Sequence, residues 1–328
     1  MTRVAPVSGP GDPVLAEAAA LLRAGGLVAF PTETVYGLGA DGLDADAVAR
    51  IYAAKGRPAT NPVILHVPDA GAARALAGRW PAEAQALADR FWPGPLTLVL
   101  PAAEAVPAIV RAGGPTVALR CPAHPVALAL VRAAGRPLAA PSANRSQHLS
   151  PTRAAHVVAS LGDAVDLVLD GGPTTAGLES TILDLAGDRP RILRPGPIPR
   201  ADLEAVVGPV DLWTGAASID QRQAAPGMQA RHYAPRAELT LVDPGAPVVP
   251  GPGPTALVAL GVLPPLPEGV RGFLLPAEPG AAAAGLYALL HDLDDAGFQR
   301  ILVQRPPAGE AWLAVLDRLT RAAAKEPA

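Results

Sequence analysis

The sequence predicts an α/β fold: a sandwich built on a mixed sheet, followed by a linker and a second, smaller α/β domain. Three observations carry this reading. Short apolar runs alternate with helically periodic segments as far as residue 207, the pattern loosens over 208–236, and it resumes from 238. At 328 residues the chain has the length for two domains, or one large one, with ample core.

Residues 13–24 have helical periodicity, and 27–30 read as a buried strand. Asp44 or Asp46 caps a short helix reaching about Ala54, which puts Lys55 and Arg57 just past its end. Residues 63–67 read as a strand, 69–78 and 82–91 as helices, and 96–100 as a strand. Further strands are expected at 116–120, 166–169, 180–185 and 191–194, with helices near 125–134, 152–161 and 200–207. Gln221-Arg-Gln-Ala-Ala-Pro-Gly-Met228 reads as linker. Strands near 238–242, 255–260 and 300–304, with helices near 281–296 and 310–323, make the second domain. Its Gly251-Pro-Gly-Pro254 precedes a strand and so cannot be the turn of a dinucleotide fingerprint, which follows one.

Half the residues are hydrophobic but only 4% are aromatic, so the positive hydropathy reflects small side chains. Pro, Gly or charges interrupt the apolar stretches well before the roughly 18–20 residues of a membrane span. The N-terminus has no apolar core of the signal-peptide kind, and a cytoplasmic protein is expected. A single cysteine, Cys121, excludes an internal disulfide framework and a cysteine-based zinc site, and reads as a packed thiol. His124, His148, His156 and His291 read as surface or loop residues without metal-site spacing. A net charge of −3 argues against the whole molecule binding nucleic acid, while leaving a local basic patch open.

The chemistry concentrates in an ordered series of motifs. Pro31-Thr-Glu-Thr-Val-Tyr-Gly-Leu-Gly39 follows the first strand, and Lys55-Gly-Arg-Pro58, Asn61-Pro62 and His66 come after it. Hydroxyls and backbone N–H groups at a strand end, facing Lys and Arg, suit a small anion such as a nucleotide phosphate or an amino-acid carboxylate. No Gly-Lys-Ser/Thr closes the loop, so it is not a Walker loop. In Thr116-Val-Ala-Leu-Arg120 the arginine ends an apolar strand, either as an exposed edge cation or as a buried carboxylate clamp. Pro141-Ser-Ala-Asn144 and Ser150-Pro-Thr152 suit an ordinary loop, with Ser150 as a helix cap, or a nucleotide contact. Gly177-Leu-Glu-Ser-Thr-Ile182, Arg194-Pro-Gly196 and the linker segment Pro226-Gly-Met-Gln-Ala-Arg-His-Tyr-Ala-Pro235 complete the series.

This series resembles the YrdC/Sua5 family, whose members make threonylcarbamoyl-AMP from L-threonine, bicarbonate and ATP. The length and C-terminal half resemble Sua5, the two-domain form. The resemblance implies a YrdC-like mixed-sheet α/β sandwich over 1–207, a linker that lids the active site over 208–236, and a smaller Rossmann-like α/β domain over 237–328. It assigns Thr34, His66, Arg120, Ala140 (through its backbone) and Ser180 to threonine. Arg57, Asn61, Thr116, Ser142, Ser150, Arg194 and Tyr233 fall to ATP, with Lys55 and Arg57 as the catalytic cations. Thr32 belongs to the same motif, and the role of Glu179 stays open. Mg²⁺ is expected to travel with the nucleotide, without protein ligands. Ser146-Gln147 departs from the Ser-Gly usual in the family, and Gln229-Ala230 from its basic or aromatic pair. The implied partner is a downstream transferase that attaches threonylcarbamoyl to adenosine 37 of tRNA, with direct tRNA contact and oligomeric state left open. The alternative is an RNA-binding YrdC-like module without synthase activity.

Overall fold

The structure, a computed structural model, describes residues 2–215, 218 and 221–324. The first half runs β1 (Arg3–Pro6), α1 (Val14–Arg23), β2 (Val28–Phe30), β3 (Gly37–Asp41), α2 (Ala45–Lys55), β4 (Ile64–His66), α3 (Ala70–Leu76) and α4 (Ala82–Phe91). It continues through β5 (Leu96–Pro101), β6 (Thr116–Arg120), α5 (Pro125–Ala134), β7 (Leu138–Ala139), α6 (Ala154–Leu161), β8 (Leu167–Asp170), β9 (Thr181–Asp184) and β10 (Arg191–Arg194). Then come α7 (Arg200–Val207), β11 (Asp211–Leu212), β12 (Glu238–Val242), β13 (Thr255–Leu260), β14 (Val270–Leu275), α8 (Pro279–Asp295), β15 (Arg300–Gln304) and α9 (Leu313–Ala323).

Among the described residues β1–β11 form one eleven-stranded sheet, ordered β1-β8-β2-β3-β7-β4-β6-β5-β9-β10-β11. It is mixed: β4 runs parallel to β6 and β5 to β9, whereas β5 and β6, and β9 and β10, are antiparallel. The second sheet, β12-β15-β13-β14, is all parallel, as a Rossmann-like arrangement requires. Five strands were not expected from the sequence: β1, β3, β7, β11 and β14. The most consequential is β3, where the Gly-rich segment after the first strand returns as a buried antiparallel partner of β2. No helix among the described residues is long and apolar enough to cross a membrane.

The two faces of the large sheet are covered differently. Strand alternation sends Leu65, Leu98, Leu119 and Leu183 into the main core, with Ile51 of α2, Leu76 of α3, Leu87 of α4 and Leu203 of α7. On the opposite face α1 and α5 cover the β1-β8-β2 end, packing Leu22 and Leu130 on Val28, Phe30 and Leu169. Beyond them, among the described residues, the same face is covered by the linker rather than by a helix. Ile64, Val99, Ala118, Ile182 and Leu193 pack there against Ala225 and Met228 of the linker. The expected site residues surround this linker-covered area.

Helix α2 delivers the Lys55-Gly-Arg motif. Asp44 caps it, its side chain accepting from the N–H groups of Asp46 and Ala47. The helix takes in Lys55 as its last residue, one position beyond the expected end. Gly56, in the left-handed region at φ 60°, closes it, and the Arg57 N–H returns to the Tyr52 carbonyl. The turn aims Arg57 back toward the sheet. Asp44→Ala should cost about 0.5–2 kcal/mol in stability, read from urea unfolding, with the fold retained. A midpoint equal to that of the parent would show that the cap does not hold this helix.

Candidate active site

The parallel register of β4 and β6 pairs His66 with Arg120 and Ile64 with Ala118. Both polar residues therefore lie side by side on the linker-covered face, at the C-terminal ends of their strands. The β2–β3 turn comes in from one side. The Thr32 Oγ1 accepts from the N–H groups of Thr34 and Val35 and donates to the Val35 carbonyl at 2.6 Å, which fixes the turn. Thr34 Oγ1 in turn accepts from Arg120 Nη2 at 2.9 Å.

Together they enclose a small cavity of about 40 Å³. That is far below the ordinary size of small-molecule sites, about 300–1,000 Å³, so the site is closed as it stands and must open to admit a substrate. Of the expected residues, Thr32, Thr34, Arg57, His66, Arg120, Ala140, Ser142, Arg194 and Tyr233 line it. Glu179, His232 and Pro226 line it as well. Lys55, Asn61, Ser150 and Ser180 stand one step behind. Asn61 accepts from Arg57 Nη2 through Oδ1 at 2.6 Å, and Ser180 Oγ meets Arg194 Nη2 at 3.1 Å and Thr97 Oγ1 at 2.7 Å. The Lys55 ammonium donates to the main-chain carbonyls of Ser142 and Asn144, so it braces the Ser142 loop rather than facing the cavity. Thr116 begins β6, four residues before Arg120, roughly 13 Å along the same face. The linker residues Ala225 and Met228 pack on that face.

Three guanidinium groups, those of Arg57, Arg120 and Arg194, thus converge on one cavity. Arg120 is matched by Glu33 at 2.6 Å. Burial alone would raise the Glu33 carboxyl, but Arg120 overrides it and keeps it below its ordinary pKa. Glu179 receives Arg318 Nε of α9 at 2.8 Å, and the hydroxyls of Ser150 and Tyr287. Burial would raise it, yet Arg318 and Arg194 hold it at about 2. Its role, open in the sequence, is that of the second domain's counter-ion. Ser150 consequently does not cap α6, which begins at Ala154 without a side-chain cap. Burial, reinforced by Arg120, holds the His66 imidazole at about 3, hence neutral, and its Nδ1 has no partner among the described residues. The Tyr233 hydroxyl and Asn61 Nδ2 are likewise buried without one. Such unmatched groups around a cationic cavity suit a ligand carrying two anionic centres and further polar groups.

The linker is strained where it meets the site. Tyr233 has φ 60°, a left-handed conformation that costs a bulky residue about 1–3 kcal/mol and persists only where its surroundings fix it. Gly227, at φ 87°, lies so close that a Cβ there would be 2.4 Å from the Tyr233 hydroxyl. Gln147, where the family usually has glycine, also adopts a positive φ of 68°. Its carbonyl accepts the Ala234 N–H at 2.9 Å, so the departure from the family pattern keeps the glycine-like turn and ties it to the linker. His156 corrects the surface assignment: it is buried on α6 and stacks on His291 of α8, ring centroids 3.8 Å apart.

The family model for Sua5, YciO and YrdC proteins, described as "Telomere recombination", matches residues 20–196. The chain belongs to the Sua5/YrdC family. A second model, "Threonylcarbamoyl-AMP synthase, C-terminal domain", matches 198–324, so it takes in α7 and β11 of the large sheet. The threonylcarbamoyl-AMP synthase of Bacillus subtilis is 43% identical, over 95% of this chain and 93% of its own. That of Pyrococcus abyssi is 50% identical over 69% of this chain and 67% of its own. Among solved structures, P. abyssi Sua5 complexed with L-threonine superposes with a TM-score of 0.88 at 38% identity, covering 98% of this chain and 97% of that one. A variant of the same protein with a His and a Tyr replaced by Ala gives 0.89 at 38% identity, covering 98% and 96%. Sua5/YrdC membership thus agrees with the mixed sheet, the smaller parallel domain and the linker between them.

All six histidines of the chain are shifted below 6.5, burial being the first cause in each. The native state keeps them neutral while the unfolded chain takes up protons as pH falls through 6.5. Stability should therefore decline from about pH 6.5 toward the folded values, about 4 for His156 and about 3 for His66. Glu179 adds a further loss between 4.5 and about 2. His66 by itself should remove on the order of 2 kcal/mol at pH 5. Urea midpoints should be slightly lower at pH 7 than at pH 8 and clearly lower at pH 5; a flat profile down to pH 5 would refute the buried-neutral assignment.

Proposed function

We propose that this chain is a threonylcarbamoyl-AMP synthase, converting L-threonine, bicarbonate and ATP to threonylcarbamoyl-AMP and diphosphate, the first step toward t6A at position 37 of tRNA. The convergence of Arg57, Arg120 and Arg194 on one enclosed cavity, beside the neutral His66 with its Nδ1 unmatched among the described residues, carries this reading. One guanidinium matches an amino-acid carboxylate, and two remain for phosphate oxygens.

In the proposed mechanism Arg120 grips the threonine carboxylate. Thr34, His66, Ser180 and the Ala140 backbone hold the rest of the amino acid. The threonine amine attacks bicarbonate and gives a carbamate with loss of water (or attacks CO2 with loss of a proton). A carbamate oxygen attacks the α-phosphorus of ATP, and diphosphate leaves. Arg57 and Arg194 offset the negative charge that gathers on the phosphoryl oxygens. Asn61, Ser142 and Ser150 complete the ATP side, and Lys55 acts through the Ser142 loop it braces. For Thr116 to reach ATP, the segment carrying Ala225 and Met228 must leave the sheet face and Tyr233 close over the nucleotide. Such a lid keeps water from a labile mixed anhydride.

The carboxylate lining the cavity, Glu179, has both oxygens engaged, and no cluster of potential metal ligands occurs among the described residues. This donor set suits a Mg²⁺ carried by the nucleotide phosphates, where it supplies further charge compensation. The functional division we propose is 1–207 as catalytic unit, 208–236 as lid and 237–328 as C-terminal domain. The product is too reactive to accumulate, so a tRNA threonylcarbamoyl transferase in the same cytoplasm would take it up. The RNA-binding alternative is disfavoured because Arg57, Arg120 and Arg194 are no more than 9% exposed, out of reach of a polynucleotide backbone.

Diphosphate release should require threonine and bicarbonate together; release needing neither would reduce the chain to an ATPase. Arg57→Ala should lower turnover about a hundredfold or more, as with other lost charge clamps. Near-normal turnover would remove Arg57 from the mechanism. Serine, lacking one methyl, should be used roughly 10–200-fold less well in kcat/KM, and equal use would rule out the assigned threonine pocket.

A further inference from the structure

We propose that α9 of the C-terminal domain positions the lid, and through it the nucleotide side of the site, by means of Arg318 and Arg321. Arg318 occupies the buried stripe of α9 with Val315, Leu319 and Ala322, a place where an apolar side chain would ordinarily stand. Its guanidinium is fully enclosed and makes contacts in four directions. Nε donates to Glu179 at 2.8 Å, Nη2 to the Pro195 carbonyl at 3.0 Å, and Nη1 to Asp317 at 2.7 Å. Its plane lies 5.0 Å from the centre of the Tyr233 ring. Glu179 precedes Ser180, Pro195 follows Arg194, and Tyr233 is the strained lid residue. One side chain of the second domain thus touches three separate segments of the cavity wall.

One turn on, Arg321 holds the lid itself. Its Nη1 donates to the Gln229 carbonyl at 2.5 Å, its own carbonyl accepts the His232 N–H at 3.2 Å, and Asp317 fixes its Nε at 2.9 Å. The segment from Gln229 to Tyr233 is therefore clamped at both ends by consecutive turns of one helix. None of these contacts reaches Thr34, His66 or Arg120. A buried ion pair is weak evidence for stability, since apolar residues of similar volume often serve as well or better. The Glu179–Arg318 pair instead specifies where Tyr233 and the loops bearing Ser180 and Arg194 stand. Arg318 and Arg321 are positioning residues, acting through groups that face the substrates.

This inference rests on the synthase reading, and the test keeps the two apart. Full-length Arg318→Met, Arg321→Met, Glu179→Gln and the double variant E179Q/R318M would be compared by steady-state kinetics, threonine calorimetry, thermal melting and amide hydrogen exchange. Arg318→Met should raise KM for ATP tenfold or more and threonine Kd by much less, because Thr34, His66 and Arg120 keep their places and only Ser180 on the threonine side is displaced. Amide exchange over residues 226–234 should quicken at least tenfold, with β5 unchanged. E179Q/R318M should regain the melting temperature that Arg318→Met loses, because no buried charge is left unpaired, but not its KM for ATP. Wild-type KM and linker exchange in Arg318→Met, or recovery of KM together with melting temperature in the double variant, would overturn the proposal. Should Arg318→Met fail to fold, Arg321→Met decides: faster exchange at 229–232 supports the clamp, and unchanged exchange overturns it. Absence of diphosphate release in the wild type would instead reject the synthase reading, while linker exchange would still judge the clamp.

Discussion

Five cationic side chains, Lys55, Arg57, Arg120, Arg194 and Arg318, are taken out of water around one small cavity, and the local architecture follows from receiving them. A buried charge left without partners costs several kcal/mol. The carboxylates that meet them are Glu33, Glu179 and Asp317, so much of the compensation comes from the main chain. Carbonyls of Asn61, Pro62, Gly94, Ser142, Asn144, Ser180 and Pro195 accept from these five residues. A carbonyl turned toward a side chain is absent from a strand ladder or helix, which explains why these donors are served from loops rich in Pro, Gly, Ser and Asn. The excess of positive charge at the cavity wall is then a built-in demand for anionic substrates.

Strand geometry turns that demand into a directional site. Period-two alternation puts Thr116, Ala118 and Arg120 on one face of β6, with Val117 and Leu119 in the core on the other. The parallel pairing with β4 adds Ile64 and His66 in register. The result is a track with a polar, cationic end at His66 and Arg120 and an apolar middle at Ile64 and Ala118. The α1–α5 layer stops short of it, so the linker supplies the cover. A site roofed by a linker can open without disturbing the helical core beneath the sheet.

Much of this was legible in the sequence, and the exceptions have physical causes. Long amphipathic segments such as α4, α5 and α8, and apolar strands such as β5 and β13, declare their period and fall where expected. Strand β3 does not, because Gly37 and Gly39 read as loop punctuation. In the fold Gly39 is small because a Cβ would come 2.7 Å from the Phe30 ring across the β2–β3 pair. Strands β7 and β11 are two residues long and exist only through their partners. The site motifs were readable as an ordered series, but not which members face the cavity. Lys55, placed by sequence among phosphate contacts, is turned onto two carbonyls, a geometry that no local spacing encodes. Arg318 lay outside every motif. Its signal was present as a lone arginine at the buried i, i+4 positions of an amphipathic helix, but its partners Glu179 and Tyr233 are distant in sequence.

The distribution of strain gives the two-domain form its physical sense. Tyr233 holds a left-handed backbone with its ring buried and its hydroxyl unmatched, and Gly227 leaves room for it at contact distance. A linker joined only to the first domain would have little to oppose relaxation of that residue. The second domain provides the opposition from three sides: the Arg318 plane, the Tyr287 ring 6.0 Å away, and the backbone bond from His232 to Arg321. Tyr233 also lies in an apolar cluster with Val35, Leu149 and Leu178 of the first domain and Leu286, Tyr287 and Leu290 of α8, so packing reinforces these polar and aromatic contacts. A cover that must both exclude water and release a product is thereby tied to the second domain, whose contacts hold it shut.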